Sequence, residues 1–311
     1  PFHYGWLILA TGILANFSGL GFTTIVLGGI QTIISADTGW SSNHIALATT
    51  AGCWSFALST PILGALADRY GPRVLMPLAA LVAGVSYIAI SSADTLWQFY
   101  MAIIIGRSLG EVGLIGVVPS TVVVNFFRRR RNLTLGLMSV AMPIGASITI
   151  QIFSLLSDSV SWRIIYRFYL GIFTLAMVLP LFLIMRRRPE DIGLLPEGEA
   201  TLSVNIDIAY SKTSPSIPST IPIRETNWSA KEVVKTSTFW LLVITSGLGS
   251  MIFGAVVFQI VPYLEASGLS RGVSSVALSL AVVVASVLSP GWGYLADRIH
   301  PRHLALFAAP M

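Results

Sequence analysis

Two oppositely charged side chains stand in an otherwise apolar stretch of the sequence, where they could handle an ion or a proton. Arg107 and Glu111 are four residues apart, so a helix would place them on one face and within reach of each other. An ionisable side chain inside a bilayer costs at least about 2.5 to 3.5 kcal/mol on insertion scales and therefore faces a cavity or a partner. Arg107 could hold an anionic group, and Glu111 could accept a proton. The alternative is a structural ion pair that joins helices.

Amide side chains in other apolar segments are further candidates for a polar pathway. Small residues surround the first of them and permit close helix packing. The amides themselves could face a cavity. These candidates are Asn16, Gln151 and Gln259.

The composition indicates a membrane as the main solvent. Of the 311 residues, 54% are hydrophobic and only 11% are charged, whereas soluble domains carry about 25% charged residues. The net charge of +5 does not indicate nucleic-acid binding, because the basic residues lie between apolar segments. The apolar segments hold no serine, histidine and acid set, and the sequence has no phosphate-binding loop motif. We therefore expect no enzyme activity, no cofactor and no metal site.

The apolar segments predict eight membrane spans and the start of a ninth. Each is long enough to cross a bilayer, and they must be helices, since the backbone in lipid has to satisfy its own hydrogen bonds. Prolines inside some of them are predicted to kink the helix, namely Pro119, Pro143 and Pro262. The spans are predicted at about 6–34, 44–66, 74–92, 97–127, 133–156, 162–185, 238–263, 272–296 and from His303 onward.

The charges of the connecting loops predict the orientation. Cytoplasmic loops are enriched in Lys and Arg. The loops after the second, fourth, sixth and eighth spans carry two to four arginines each, whereas those after the fifth and seventh hold only Arg163 and Arg271. The N-terminus and the arginine-rich loops are therefore predicted to be cytoplasmic. A polar Ser- and Pro-rich linker at 189–236 is also predicted on that side, between a six-helix half at 1–188 and a partial second half at 237–311.

An internal repeat relates the two parts. Residues 64–73 read GALADRYGPR and residues 293–302 read GYLADRIHPR, so seven of ten positions are identical. Both copies end an even-numbered span, at an offset of 229 residues. Parallel repeats of six-helix halves are the construction of one transporter class.

The first copy of this repeat resembles the loop signature of the major facilitator superfamily between its second and third helices. Arg107 to Gly110 (RSLG) resembles the arginine-containing motif of its fourth helix, and Trp162 with Arg163 resembles the start of its sixth. The resemblance implies an all-α integral membrane fold of twelve helices. About 8–9 of them are expected here, a six-helix N-terminal bundle and the first two to three helices of a pseudo-symmetric second one. It also implies that the chain is incomplete at its C-terminal end.

The resemblance further implies a cytoplasmic gate at the two repeat copies. Such a gate holds one state of the transporter closed through contacts of the loop charges. The alternative is a solvated turn. His300 stands where the first copy has Gly71, which implies a differently shaped second turn. The gate residues would be Asp68, Arg69 and Arg73 in the first copy and Asp297, Arg298 and Arg302 in the second.

Three segments resemble the monocarboxylate porter and oxalate/formate antiporter-like branch: YGW at 4–6, FFRRRRNLTLGLMSVAMPIG at 126–145 and RRPEDIGLLPEG at 187–198. The sequence departs from this branch in one respect: residues 273–293 contain no charged side chain that could bind a carboxylate. The implied function is alternating-access transport of a small organic anion with proton symport or exchange. Alternatives are a drug or metabolite efflux proton antiporter, which PIG at 143–145 faintly resembles, and less favourably a membrane-embedded enzyme or a channel. We expect a monomer in the plasma or inner membrane, with lipids and a small-molecule substrate as partners and no nucleic acid.

Overall fold

The described part of the chain folds into eight long helical spans, each apolar enough to cross a membrane, as predicted. The computed structural model describes residues 4–115, 117–127, 131–157, 159–186 and 234–298. The predicted ninth span and most of the linker lie outside these residues. The spans are Tyr4–Gly19, Leu20–Phe22 and Thr24–Thr38 (first); Ser42–Tyr70 (second); Pro72–Ser91 (third); Leu96–Ile105, Gly106–Glu111, Val112–Leu114 and Val117–Phe126 (fourth); Arg131–Leu156 (fifth); Trp162–Ile165, Tyr166–Ile172, Phe173–Ala176 and Val178–Ile184 (sixth); Ser237–Ala266 (seventh); and Arg271–Arg298 (eighth).

Short capped turns make consecutive spans antiparallel. Gly39 ends the first span with φ 71°, a left-handed conformation that glycine adopts without strain. Thr95 and Gln98 form a capping box at the start of the fourth. We call the side of the bundle that contains Tyr4 and Gly71 the near side, and the side that contains Gly39 and Thr95 the far side.

Three of the spans contain segments that are not α-helical. The first span is interrupted by a 3-10 turn at Leu20–Phe22. The fourth and sixth contain π-helical turns at Gly106–Glu111 and Tyr166–Ile172. By contrast, Pro143 and Pro262 lie inside uninterrupted α-helices. The irregular segments therefore do not coincide with these two prolines.

The third span packs tightly on the fourth because small residues meet at their contact. Small side chains let two helix backbones approach closely in a membrane, where dispersion contacts stabilise the pair. Cβ atoms placed on Gly106, Gly110 and Gly113 would lie 3.0, 2.7 and 2.4 Å from the Cβ atoms of Ser86, Ala83 and Ala79, respectively.

One arginine holds the far-side turns of the first six spans together. Arg163 Nη1 donates to the carbonyl oxygen of Ala93 at 2.8 Å, and the guanidinium forms ion pairs with Asp37 at 3.5 Å and Asp94 at 3.6 Å. The indole of Trp162 donates to the same Asp37 carboxylate at 2.9 Å. The ends of the first, third and sixth spans are therefore fixed to one another.

The seventh span contacts the first on the far side. A Cβ atom on Gly28 would lie 2.7 Å from the Cα atom of Phe258, so the two backbones touch. One turn farther, the hydroxyl of Thr32 donates to Glu265 at 3.4 Å. Toward the near side the seventh span separates from the first six: Met251 is 73% exposed, whereas Phe258 is 6% exposed.

The eighth span contacts the fifth through polar side chains that we call the serine seam: Ser147, Gln151, Ser154, Ser275 and Ser279. The amide of Gln151 donates to the hydroxyl oxygen of Ser279 at 2.9 Å. Ser147 donates to the carbonyl oxygen of Ser279 at 3.3 Å, and the hydroxyls of Ser154 and Ser275 are 3.0 Å apart. These contacts also lie in the far-side half of the bundle.

Candidate transport site

Arg107 and Glu111 form the buried ion pair that their spacing predicts. Arg107 Nε lies 2.7 Å from Glu111 Oε2, and Arg107 Nη2 donates to Oε1 at 3.4 Å. The two residues are only 5% and 6% exposed. Each charge is therefore compensated mainly by the other, as an apolar environment requires.

The pair lies against the second span. A Cβ atom on Gly52 would meet Arg107 Cδ at 2.4 Å, so this glycine makes room for the arginine. Arg107 Nη1 also donates to the carbonyl oxygen of Thr49 at 3.5 Å. The pair is thus held inside the six-helix part, between the second, third and fourth spans.

The ion pair departs from regular geometry. Its shortest contact, between Arg107 Nε and Glu111 Oε2 at 2.7 Å, is ionic, and the N–H is not aligned with the oxygen as in an ideal hydrogen bond. Both residues belong to the π-helical turn Gly106–Glu111, and such turns occur frequently at functional sites. The pair therefore combines opposite charges in a buried position with an irregular helical turn.

A tyrosine that the sequence reasoning missed lies beside the pair. Tyr87, in the third span, is fully buried and within electrostatic range of Glu111. Its hydroxyl faces the backbone of Gly21 and Phe22 in the first span. The ring stacks on Phe22 with centroids 4.1 Å apart. The signal in the sequence is a tyrosine in the middle of an otherwise apolar span.

The three predicted amides lie in different environments. Asn16 is 4% exposed and its Oδ1 atom has no hydrogen-bond partner among the residues described. Gln151 is bound in the serine seam, so in this arrangement it joins the two parts of the chain. Gln259 is exposed on the seventh span. The structure does not bring these three together with Arg107, and their role in a pathway stays a prediction.

Gln31 is a second buried polar residue that the sequence reasoning missed. It lies in the far-side segment of the first span, is 0% exposed, and neither its Nε2 nor its Oε1 atom has a hydrogen-bond partner in the described chain. A buried unsatisfied polar group is destabilising. The fold keeps this amide at a cost in stability.

Replacing Gln31 by methionine is expected to stabilise the protein. Methionine has a similar length and removes both unsatisfied groups, so the free energy of unfolding should rise by about 1 to 3 kcal/mol. Thermal unfolding in detergent checks this result. The matched control is Gln259→Met, which changes an exposed amide and should leave the melting temperature nearly unchanged. A lower melting temperature for Gln31→Met would show that the amide is satisfied in solution.

The proposed gate is described only in part. Asp68 lies in the last turns of the second span, but its side chain is outside the described structure, as are the side chains of Asp297 and Arg298 and the whole of Arg302. Arg69 lies 5.4 Å from the ring of Tyr70. Arg73 lies 5.1 Å from the ring of Phe182 in the sixth span. The gate stays a prediction.

Eight helices long and apolar enough to cross a membrane, in the described part of the chain, indicate a multi-pass membrane protein. Its sequence matches the Major Facilitator Superfamily over residues 11–311. The chain belongs to this family.

Similar proteins support the family and the fold. The MFS-type transporter pynF of Aspergillus niger is 26% identical over 191 residues, which are 60% of this chain and 43% of that protein. Monocarboxylate transporter 1 of Mus musculus is 26% identical over 175 residues, 51% of this chain and 32% of that protein. The chain thus spans less than half the length of these two relatives. The solved D-xylose-proton symporter has the same fold, with a TM-score of 0.58, 12% identity, and coverage of 95% of this chain and 70% of that one.

Proposed function

We propose that this chain is part of a secondary active transporter that moves a small organic anion across the cell membrane by alternating access. The near side, with its arginine-rich loops, is the cytoplasmic side. The first and seventh spans and the serine seam close the far side in the arrangement described, so the protein opens toward the cytoplasm. The contacts of the seventh span with the first at Gly28 and Thr32 lie on the far side and support this direction. Asn16 and Gln259 would line the path, and the repeat charges would close its cytoplasmic end.

The observation that carries the proposal is the buried pair of Arg107 and Glu111. Glu111 is the proton acceptor. Arg107 is the cation that loses its partner when the carboxylate is neutralised. Protonation would release Arg107 from its partner at 2.7 Å and leave a buried cation available to an anionic substrate. Proton and anion would then move together. The similarity to Monocarboxylate transporter 1 supports a monocarboxylate as the first substrate to test.

The replacement of Glu111 by glutamine is expected to abolish proton-driven uptake and to spare substrate exchange. The amide keeps the size of the side chain but cannot take up or release a proton. The measurement is uptake of labelled lactate, formate and oxalate into proteoliposomes, with and without a proton gradient, by the protein expressed from its complete gene. The control is Asp94→Asn, since the Asp94 side chain is 86% exposed and Arg163 keeps its contacts with Ala93 and Asp37 without it.

Three outcomes would contradict parts of the proposal. Unchanged gradient dependence in Glu111→Gln would reduce the pair to a structural one. Leak that neither saturates nor depends on a gradient would exclude secondary transport. Export of hydrophobic compounds driven by an inward proton gradient, without anion uptake, would favour the efflux antiporter.

A further inference from the structure

The three irregular helical segments of the described chain meet in one place. The 3-10 turn Leu20–Phe22 of the first span contacts the π-helical turns Gly106–Glu111 and Tyr166–Ile172. A Cβ atom on Gly106 would lie 2.2 Å from the ring of Phe22, and one on Gly21 would lie 2.6 Å from Leu170. Isolated π turns and breaks in membrane helices are often functional. Here the fourth-span turn is also the one that carries the ion pair.

The break in the first span is completed by side chains of the sixth. The buried hydroxyl of Tyr166 donates to the carbonyl oxygen of Gly21 at 2.9 Å, and Thr174 donates to that of Ser18 at 3.0 Å. Thr23 caps the helix that follows by accepting from the N–H of Val26. In an apolar core, carbonyls released from a helix must find such partners. The break is therefore a built feature of the fold.

The break divides the first span into two arms with different neighbours. The near-side arm, Tyr4–Gly19, packs within the six-helix part: a Cβ on Gly12 would touch Met138 and Val123. The far-side arm, Thr24–Thr38, carries the two contacts with the seventh span, made by Gly28 and Thr32. A rotation at the break would move the far-side arm, and with it the closure of the far side, while the near-side arm stayed in place.

We propose that this break is a hinge that couples the state of the ion pair to closure of the far side, and that Tyr166 is its positioning residue. The inference rests on the proposed function, in which Glu111 gains and loses a proton. A change at Glu111 alters its π-helical turn. Phe22 must follow, because Gly106 leaves no space between them. Tyr166 fixes the Gly21 carbonyl, so that the movement turns the far-side arm. Within the described residues, the charged and titratable groups around Glu111 are Arg107 and Tyr87.

The test measures coupling without requiring transport. Two spin labels are placed at Asn43→Cys and Leu269→Cys, which are exposed on the far side of the two parts, after Cys53→Ser removes the native thiol. The distribution of distances between the labels is measured with and without Glu111→Gln. This comparison is made once in the protein with Tyr166 and once in the protein with Tyr166→Phe. Tyr169→Phe is the matched control, because it removes a hydroxyl from the same π-helical turn.

We expect Glu111→Gln to shift the distance distribution both in the protein with no change at Tyr166 and in the control variant Tyr169→Phe. The distance distribution gives the ratio of far-side closed to far-side open molecules. With Tyr166→Phe, the change in this ratio that Glu111→Gln causes should be about tenfold smaller, in line with the loss of one buried hydrogen bond. Thr174→Val, which affects the same break, serves if Tyr166→Phe does not fold and should reduce the shift likewise. An equal shift with and without the tyrosine hydroxyl would overturn the hinge. Uptake by the unchanged protein tests the proposed function separately.

Discussion

Replacement of Arg107 by methionine is expected to lower the free energy of unfolding by about 3 to 5 kcal/mol, because it leaves a buried carboxylate without its partner. Glu111 is 6% exposed, and its Oε2 atom is 2.7 Å from Arg107 Nε. Its desolvation would no longer be balanced by an opposite charge. Methionine retains much of the aliphatic stem that packs over Gly52, so the loss of charge dominates.

The measurement is thermal unfolding in detergent, with a double variant as the internal check. Arg107→Met combined with Glu111→Leu removes both charges and should recover most of the stability, since a buried ion pair is often replaceable by packed apolar groups. The surface control is Arg69→Met, because Arg69 is exposed. A change in the single variant no larger than in this control would mean that water reaches Glu111. The pair would then lie in a wet cavity.

Replacement of Gly28 by alanine is expected to shift the protein strongly away from the arrangement described. The new methyl group would lie 2.7 Å from the Cα and 2.9 Å from the carbonyl oxygen of Phe258. Backbone atoms cannot rotate away, so the first and seventh spans must separate on the far side. Overpacking of this kind costs about 1 to 3 kcal/mol, and we expect the closed population to fall by roughly tenfold or more.

The distance between labels at Asn43→Cys and Leu269→Cys reports this separation directly. Gly247→Ala is the matched control, because a Cβ atom there meets nothing within 4 Å and the residue lies in the seventh span. Both variants gain the same helix propensity. If Gly28→Ala left the distance unchanged, the close approach of the two backbones would not exist in the membrane.

The spans were predictable from the sequence because hydropathy reports the solvent of a helix directly. All eight predicted spans exist, although the first continues past position 34 to Thr38 and the seventh past position 263 to Ala266. The contact of Arg107 with Glu111 was predictable as well, since residues four apart meet on one helical face. Composition and local spacing were sufficient for these features.

The environment of the pair was not predictable by the same reasoning. The break at Leu20–Phe22 contains no proline, and Pro143 and Pro262 do not interrupt their helices. What stabilises the break is a hydroxyl of Tyr166, 145 positions away in the chain. Local propensity contains no information about such a partner. The buried positions of Tyr87 and Gln31 depend in the same way on neighbouring spans.

The serine seam affects how readily the first six spans and the last two can separate. Hydrogen bonds between helices in a membrane contribute on average only about 0.6 kcal/mol each. The seam has three, which join Ser147, Gln151 and Ser154 of the fifth span to Ser279 and Ser275 of the eighth. Their sum is only a few multiples of thermal energy, so these hydrogen bonds add little to the cost of separating the two spans. A hydroxyl can also turn to its own helix, as Ser275 does by donating to the Arg271 carbonyl at 2.9 Å. A hydroxyl of this kind keeps a hydrogen bond when the neighbouring span moves away. This property suits a contact that breaks and re-forms in every transport cycle.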